Sequence, residues 1–200
     1  MAEYTLDKFG VPIDGGRQGP LKQPKQKHRF RVRFLNFGSI GNQATPITLN
    51  LESTTLPTIT HEEVAVHSYN SIGYYAGKAS FGTVEMVVRD DVTNTAARAI
   101  AAQEQRQFDH YNQTGYRSAT DYKFTTLIEI MDGGNTAVLE QWTLEGCFFT
   151  SVAYGDQNYT SNGESKTISM TLRFDNAVNI DENGNRLMSA PSADPQSATL

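Results

Sequence analysis

The alternation of apolar and polar residues along this 200-residue chain predicts a β-rich fold. In the segment SFGTVEMVVRDD, Val84, Met86 and Val88 fall on one face of a strand, while Glu85 and Arg89 fall on the other. The same period of two recurs in HRFRVRFLNF near the start, in PITLNLESTTLP, and in two strands joined by the turn Asp132 to Asn135. The chain therefore reads as mainly β.

The last two predicted strands are CFFTSVAYG, which is almost continuously apolar, and residues 166 to 174, which alternate cleanly. In the second of these, the predicted inward residues are Ile168, Met170, Leu172 and Phe174. Near the start of the chain, Ile47, Leu49 and Leu51 alternate with polar residues, which predicts a strand that stops near Pro57.

One helix is predicted, over residues 92 to 112, directly after the strand that ends at Asp90 and Asp91. Asp91, Thr93 and Thr95 are suitable N-cap residues, and the turn Asn112 to Gly115 ends the helix. The apolar positions recur at steps of three and four and comprise Ala97, Ile100, Ala101, Phe108 and Tyr111. This apolar stripe must pack against a sheet, because it cannot remain in water.

Residues 58 to 77 break the strand pattern with an aromatic, glycine-containing excursion. Val64 and Val66 are compatible with a short strand, and Tyr69, Tyr74 and Tyr75 follow. The segment is too apolar for a solvated loop and too irregular for a core. We expect a contact with another protein subunit, and the alternative is a loop folded onto its own domain.

Charge is distributed unevenly about a net value of -5. Eight Lys and Arg residues against three acidic residues give residues 1 to 35 a charge of about +5, which leaves about -10 for the remainder. We expect residues 1 to 27 to form a basic extended arm, serving as a flexible lead-in or a subunit contact, with nucleic-acid binding as the alternative. Residues 177 to 200, rich in Pro, Asn, Asp and Ser, are expected to form an extended tail.

Arg29, Arg31 and Arg33 share one face of the first predicted strand. Three guanidinium groups on one strand face are costly to leave unpaired in a core. They face either water or an acidic surface on a neighbouring subunit.

The sequence contains few residue patterns that are typical of catalytic or metal sites, and we expect no catalytic residues, no metal site and no cofactor. His61 and His67 flank Glu62 and Glu63, but this spacing is not that of a zinc protease helix. Cys147, the single cysteine, reads as a small buried hydrophobe rather than a reactive thiol. Since there is no run of 18 apolar residues and no basic-then-apolar leader, we expect neither a membrane span nor secretion by the usual route.

The order of these elements, over about residues 28 to 176, resembles the tail tube proteins of contractile-tailed bacteriophages. The resemblance rests on a strand ending in Ser53 to Pro57, a long excursion, the strand-acid-helix junction after Val84, and a closing run of strands. It implies a two-sheet antiparallel β-sandwich or barrel with one flanking α-helix. It also implies six-fold rings that stack into a hollow tube for the genome, with residues 58 to 77 as a loop that reaches between rings.

The partners implied by the resemblance are other copies of the chain, the tail sheath, the baseplate and terminator proteins, together with viral DNA that passes without specific binding. The implied location is the virion tail, with assembly in the host cytoplasm. A tube initiator or terminator ring and a type VI secretion tube protein, which shares the fold, are alternatives within the class.

A lumen that lets a polyanion slide should be polar and acidic. The polar strand faces supply four candidates for lining it, namely Glu52, Glu85, Glu129 and Glu145. The alternative from another class is a monomeric carbohydrate- or ligand-binding β-sandwich. Such a protein would bind its ligand with the tyrosines of the excursion together with Trp142. An enzyme is the third alternative.

Overall fold

A computed structural model describes residues 12–13, 17–18, 24–38, 45–134 and 137–187. Most of the predicted basic arm, residue Asn135 of the predicted turn and residues 188 to 200 of the predicted tail lie outside the described residues.

The described chain is dominated by antiparallel strands, with two α-helices and one short 3-10 helix at Ala119–Asp121. The strands before the main helix are β1 (Pro12–Ile13), β2 (Arg17–Gln18), β3 (Phe30–Leu35), β4 (Leu51–Thr54), β5 (Ile59–Ser68), β6 (Ser71–Phe81) and β7 (Val84–Arg89). The helices are α1 (Thr45–Asn50) and α2 (Thr95–Gln107). The later strands are β8 (Phe108–Asp109), β9 (Thr114–Gly115), β10 (Phe124–Met131), β11 (Val138–Ala153), β12 (Thr167–Arg173) and β13 (Asn176–Asp181).

Strand β11 is shared by two sheets. Its first part pairs with β10 and β13, which gives a sheet in the order β3-β10-β11-β13, hereafter the first sheet. Its second part, from Phe148, pairs with β12 and leads to the order β11-β12-β7-β4, hereafter the second sheet. Between the two parts lies Gly146, with a φ of 69°. A bend in a strand that changes sheets is one way to close a corner of a β-sandwich, so the predicted two-sheet antiparallel architecture is confirmed.

The core lies between these sheets and follows the predicted alternation. The inward residues Val84, Met86 and Val88 of β7 are fully or almost fully buried. The four predicted inward positions of residues 166 to 174 are also buried. Facing them from the first sheet are Val32, Phe34, Phe124, Ile128 and Leu144. Strand alternation alone therefore identified most of the core.

Helix α2 is shorter than the predicted residues 92 to 112. The Asp91 carboxylate accepts hydrogen bonds from the Thr95 backbone N–H at 2.8 Å and from the Thr93 hydroxyl at 2.8 Å, which fixes the start of the helix. At its end, Phe108 is extended, with a φ of -153°. The chain then turns into β8 and β9, where Asp109 accepts from the backbone N–H groups of the turn.

The predicted apolar stripe of α2 is therefore wrong in part. Phe108 and Tyr111 lie beyond the helix, and Tyr111 is exposed. Ala101 is exposed as well, while Ile100 is buried as predicted. The buried face consists of Ala96, Ala99, Ile100 and Gln103.

Two glutamines attach α2 to the rest of the fold. The Gln103 side chain is fully buried, accepts from the Gly38 N–H at 2.8 Å and donates to the Tyr122 carbonyl at 2.7 Å. One turn later, Gln107 donates to the Phe149 carbonyl at 2.8 Å and accepts from the Phe149 N–H at 3.0 Å. The second amide therefore pairs with an otherwise open edge of β11 as a neighbouring strand would.

The predicted strand over Ile47, Leu49 and Leu51 is wrong over its first half, which forms α1. Pro46 lies in the first turn of this helix, where its missing N–H costs nothing. Ile47 is fully buried, whereas Leu49 is 78% exposed, so the two residues do not share a face. The expectation of a single helix is corrected accordingly.

The chain does not leave the domain after Phe174. Residues 177 to 181, which the composition assigns to the extended tail, belong to β13 and pair with β11. Ala177 contributes to the core and Asn179 is 6% exposed. The sequence did not predict this strand, because it contains short side chains and asparagines. It is attached to the domain mainly by backbone pairing with β11.

Candidate assembly surfaces

The predicted excursion is a regular β-hairpin rather than an irregular loop. Strands β5 and β6 pair from Ile59 opposite Phe81 to Ser68 opposite Ser71, with Tyr69 and Asn70 at the tip. They form a separate two-stranded sheet that pairs with none of the other described strands. The Gly82 N–H donates to the Thr58 carbonyl at 2.8 Å and closes the base.

Large apolar side chains are exposed on this hairpin. Tyr69 at the tip is fully exposed, Tyr74 is 64% exposed and Tyr75 is 56% exposed. Val66 and Ile72 are about half exposed. An isolated two-stranded hairpin is marginally stable in water, and exposed apolar side chains on both of its faces favour an interaction with another surface.

A register shift bends the hairpin near its middle. Between the pairs His61–Ala79 and Glu63–Ala76, β6 carries one extra residue. A Cβ atom on Gly77 would lie 3.0 Å from the Glu62 carbonyl oxygen, so the bulge needs a residue without a side chain. The bulge therefore gives the hairpin a defined bend, which an irregular connecting loop would not have.

The predicted arginine face of β3 is paired within the chain. Arg31 donates from Nε to the Glu129 carboxylate at 2.5 Å, and Arg33 donates to the other oxygen of the same carboxylate. Arg29 donates to the carbonyl of Asp132. The guanidinium-bearing side chains of Arg31 and Arg33 remain 40% and 48% exposed, so their outer edges are still accessible to a neighbour.

The four acidic lumen candidates do not lie together on one surface. Glu129 is 1% exposed beneath its two arginines, so its carboxylate is not presented to an open channel. Glu145, on the same sheet, is exposed and accepts from Asn176 at 3.1 Å. On the second sheet, Glu85 is exposed, and Glu52 pairs with Arg89 at 3.4 Å.

Trp142 lies apart from the tyrosines of the hairpin. Its indole Nε1 donates to Glu140 at 3.0 Å, and its ring packs against the core. Burial raises the pKa of the Glu140 carboxyl, but hydrogen bonds from Lys25, Asn179 and Trp142 outweigh that effect and hold the pKa below its usual value. This network belongs to the interior of the fold rather than to a ligand surface.

The first and second sheets each have one fully open end strand among the described residues. Strand β3 pairs only with β10, and β4 pairs only with β7, at the ends of the two sheets. The outer edge of β13, by contrast, is partly covered by a bridge between Ile180 and Arg186 and by the bond from the Leu187 N–H to the Asn179 carbonyl. Open edges are templates for pairing with another chain. Sequence patterns gave no signal for them, because edge position depends on the order of the strands.

The remaining chemical candidates are structural. Cys147 is buried, as predicted, and burial raises the pKa of its thiol to about 11. In the part of the chain that the structure describes, no three His, Cys, Asp or Glu side chains are grouped so that they could hold a metal ion. Nor does any helix there combine the length and apolarity needed to cross a bilayer.

No protein-family model matches the chain, and no curated protein matches it by sequence. Solved structures do match its fold. A chain of the sheath-tube complex of an extracellular contractile injection system, in the extended state, is 15% identical with a TM-score of 0.60, and the match covers 80% of this chain and 94% of that one.

The tube-terminating cap of the anti-feeding prophage is 14% identical with a TM-score of 0.62, covering 84% of this chain and 99% of that one. A chain of the anti-feeding prophage baseplate is 16% identical with a TM-score of 0.59, covering 80% and 97%. The fold is therefore that of the tube and cap proteins of contractile injection systems, and the resemblance found in the sequence is confirmed at the level of the fold.

Proposed function

We propose that this chain is a structural, non-enzymatic subunit that forms the stacked rings of a tube in a contractile tail. The observation that carries the proposal is the match of one continuous fold to almost the whole length of solved tube and cap chains. The exposed hairpin and the open edges of β3 and β4 support it, because each is a surface that self-assembly would cover.

Ring closure is proposed to occur by extension of sheets from one subunit into the next, with six subunits in the ring. A closed ring removes strand edges that a free subunit exposes. The partly exposed arginines of β3 lie on the outward face of the first sheet, so Arg29, Arg31 and Arg33 are candidates for the contact between neighbours, while the open edge of β4 is the one available for sheet extension. Their pairing with Glu129 and with the Asp132 carbonyl would orient them for it.

Contact between rings is assigned to the hairpin of β5 and β6. Tyr69, Tyr74 and Tyr75 supply large apolar surface on an element that extends from the domain. Aromatic side chains of this kind supply much of the energy of protein interfaces. Deleting residues 69 to 75 is expected to leave a folded domain that no longer stacks.

The lumen is proposed to be acidic and to conduct a nucleic acid genome without binding it. Glu52, Glu85 and Glu145 are the exposed candidates, whereas burial removes Glu129 from this role. Carboxylates repel phosphates weakly, while each cation would add a salt-dependent attraction that slows passage. Substitution of each exposed glutamate by lysine would distinguish lumenal from external positions, because only lumenal ones should slow delivery.

The remaining partners of this proposal are a tail sheath, a baseplate and terminator proteins, in a particle assembled in the host cytoplasm and located in the virion tail. A tube initiator or terminator ring and a type VI secretion tube protein are alternatives within the same class. They differ in copy number per particle, which quantitative mass spectrometry of purified particles measures.

Negative-stain microscopy of the purified chain over a range of concentrations tests the proposal. Rings or tubes with six-fold averages are expected at high concentration. A monodisperse monomer by light scattering at every concentration, with no such particles in virion or secretion preparations, would count against the proposal. That result would favour a monomeric ligand-binding β-sandwich, although Trp142 packs against the core and belongs to a different sheet from the hairpin tyrosines, which argues against one composite aromatic site.

A further inference from the structure

A groove of about 950 Å³ separates the two open strand edges. One wall is formed by Lys25 to Val32, leading into and along β3, and the other by Leu51 to Leu56, along and after β4. Ile128 and Ile130 of β10 line the space between them. The groove is therefore apolar inside and is bounded by the end strands of the first and second sheets.

The backbone of β3 faces this groove with hydrogen-bonding groups that have no partner among the described residues. The Met131 N–H donates to the Arg29 carbonyl at 2.9 Å, which places Arg29 among the residues bonded to β10. In an antiparallel pair, bonded and non-bonded positions alternate. The N–H and C=O groups of Phe30 and Val32 therefore point away from β10, toward the open edge. An edge with an apolar interior beside it fits an extended peptide segment.

The wall of the groove on the β3 side carries positive charge, whereas Glu52 on the β4 side is paired with Arg89. Lys25 and Arg31 are engaged with Glu140 and Glu129, and Arg29 binds the Asp132 carbonyl. Lys27 is exposed and forms no ion pair with the described carboxylates. The segment that fills the groove should therefore be extended, apolar on the face that enters and acidic where it passes the rim.

One face of the hairpin has these properties. The cross-strand pairs place Ile72, Tyr74 and Glu63 on one face, where Ala65 and Ala76 are the small partners of Tyr74 and Glu63 and His67 lies opposite Ile72. Ile72 and Tyr74 are 49% and 64% exposed. Tyr75 and Glu62 lie on the opposite face.

The hairpin does not fill the groove of its own chain. The base of the hairpin begins just after Leu56, which lines the groove, but no residue of β5 or β6 lines it. Strand β5 has ten residues, and an extended strand of that length spans about 33 Å, which is long enough to reach a neighbouring molecule. A hairpin that fills the groove would therefore belong to another copy of the chain.

We propose that the groove between β3 and β4 receives the Ile72–Tyr74 face of the hairpin from a second copy of this chain, with Glu63 of that hairpin near Lys27 on the rim. This inference rests on the proposed function and adds the receptor surface to it. It also states which hairpin face is engaged.

The test uses full-length chains with single cysteines. Chains carrying Tyr74→Cys are mixed with chains carrying Ser53→Cys at the concentration used for assembly, oxidised mildly and analysed by non-reducing electrophoresis and mass spectrometry. Ser53 is exposed next to the groove, and native Cys147 is buried with a raised pKa, so it does not compete. The matched control is Tyr75→Cys with Ser53→Cys, which presents the opposite hairpin face.

We expect the Tyr74→Cys mixture to yield at least five times more cross-linked dimer than the Tyr75→Cys mixture. Equal yields, or a higher yield with Tyr75→Cys, would overturn the inference. Microscopy of the same samples keeps the two proposals separate. Tubes without the specific cross-link would refute docking of the hairpin in the groove but not the tube-forming function. The specific cross-link without rings or tubes would support docking in the groove and refute the tube-forming function.

A charge exchange gives a second readout. Lys27→Glu is expected to lower the sedimentable, assembled fraction about tenfold, and Glu63→Lys on the same chain is expected to restore it. The matched control combines Lys27→Glu with Glu62→Lys, which adds the same charge on the other hairpin face and should not restore assembly. If Lys27→Glu assembles normally, or if both second substitutions restore assembly equally, the assignment of Glu63 to this rim is wrong.

Discussion

Arg31 on β3 and Glu129 on β10 lie directly opposite each other and form an ion pair at 2.5 Å, with the carboxylate 1% exposed. Arg33 reaches the second oxygen of the same carboxylate from one side. Two long side chains thus cover a charge that lies on the outward face of the first sheet. The pair joins the open edge strand to the interior of that sheet, so it contributes to the shape of the edge offered to a neighbour.

Glu129→Gln is expected to lower the free energy of unfolding by about 2 kcal/mol, because it removes charge-assisted hydrogen bonds from a buried site. Glu129→Lys should cost more than about 3 kcal/mol, since it leaves both arginines unpaired beside a third cation. Urea unfolding followed by Trp142 fluorescence measures both changes. The control is Glu145→Lys, an exposed site where a change within about 0.5 kcal/mol is expected. Similar losses of unfolding free energy at both positions would mean that the burial of Glu129 does not add to its contribution to stability.

Gln103→Leu is expected to destabilise the fold by at least about 2 kcal/mol. The substitution keeps the volume but leaves the Gly38 N–H and the Tyr122 carbonyl without their partner. Thermal unfolding measured by circular dichroism detects the loss. Gln105→Leu, at an exposed position on the same helix, is the matched control and should be close to neutral. A neutral Gln103→Leu would show that water replaces the amide at no cost.

Gly146→Ala tests the bend in β11. With a φ of 69°, this residue lies in the left-handed region, and a Cβ atom would lie 2.2 Å from a carboxylate oxygen of Asp175. A loss of about 1 to 3 kcal/mol is expected from the backbone strain, and displacement of Asp175 from Lys123 adds to it. Gly115→Ala is the control, because a Cβ atom there meets no heavy atom within 4 Å. Equal unfolding midpoints for the two variants would contradict a strained corner.

Asp91 makes the stability of the α2 start depend on pH. Hydrogen bonds from Thr95 and Thr93 lower its pKa from 3.8 to about 2. Because the folded-state pKa is the lower one, the stabilisation is complete above pH 3.8 and is lost as the pH falls through about 2. Asp91→Asn should therefore be less stable than the parent chain by a constant amount from pH 7 to pH 5. The difference in unfolding free energy, measured by urea unfolding, should shrink below pH 4. A difference that grows on acidification would mean that the pKa of Asp91 is raised rather than lowered in the folded state.

Cys147 is expected to report global unfolding. Burial raises the pKa of its thiol to about 11, so at pH 8 the folded chain presents almost no accessible thiolate. Alkylation by iodoacetamide should be slow in buffer and should accelerate across the urea transition, in parallel with circular dichroism. Rapid alkylation well below that transition would indicate a local opening of β11 instead.

The alternating strands were predictable because one face of each is buried in a single core. The positions of Val84, Met86 and Val88 follow from local spacing alone. Helix α1 was not predictable in the same way, since Ile47, Leu49 and Leu51 fit a strand by period, while the actual choice depends on Ile47 reaching the core. Apolar runs this short are ambiguous between helix and strand.

The surfaces were predicted less well, because they depend on residues distant in the chain. The sequence placed Glu129 correctly on the outward face, but its burial depends on two arginines from a strand nearly 100 residues earlier. The excursion was predicted to be an interaction segment, which stays a prediction, and its regular pairing was missed because apolar residues occur on both faces of the hairpin. The groove could not be foreseen at all, since it exists only where the ends of two sheets meet.

The sixteen residues of β11 also have a mechanical meaning. A sandwich whose sheets touch only through side chains can shear along that interface when force is applied. Here one covalent backbone runs through both sheets, so a pull on either sheet is transmitted to the other along peptide bonds. Relative sliding would require ladders with β10, β13 and β12 to break together. Sliding of one sheet past the other is therefore opposed by covalent bonds as well as by side-chain packing.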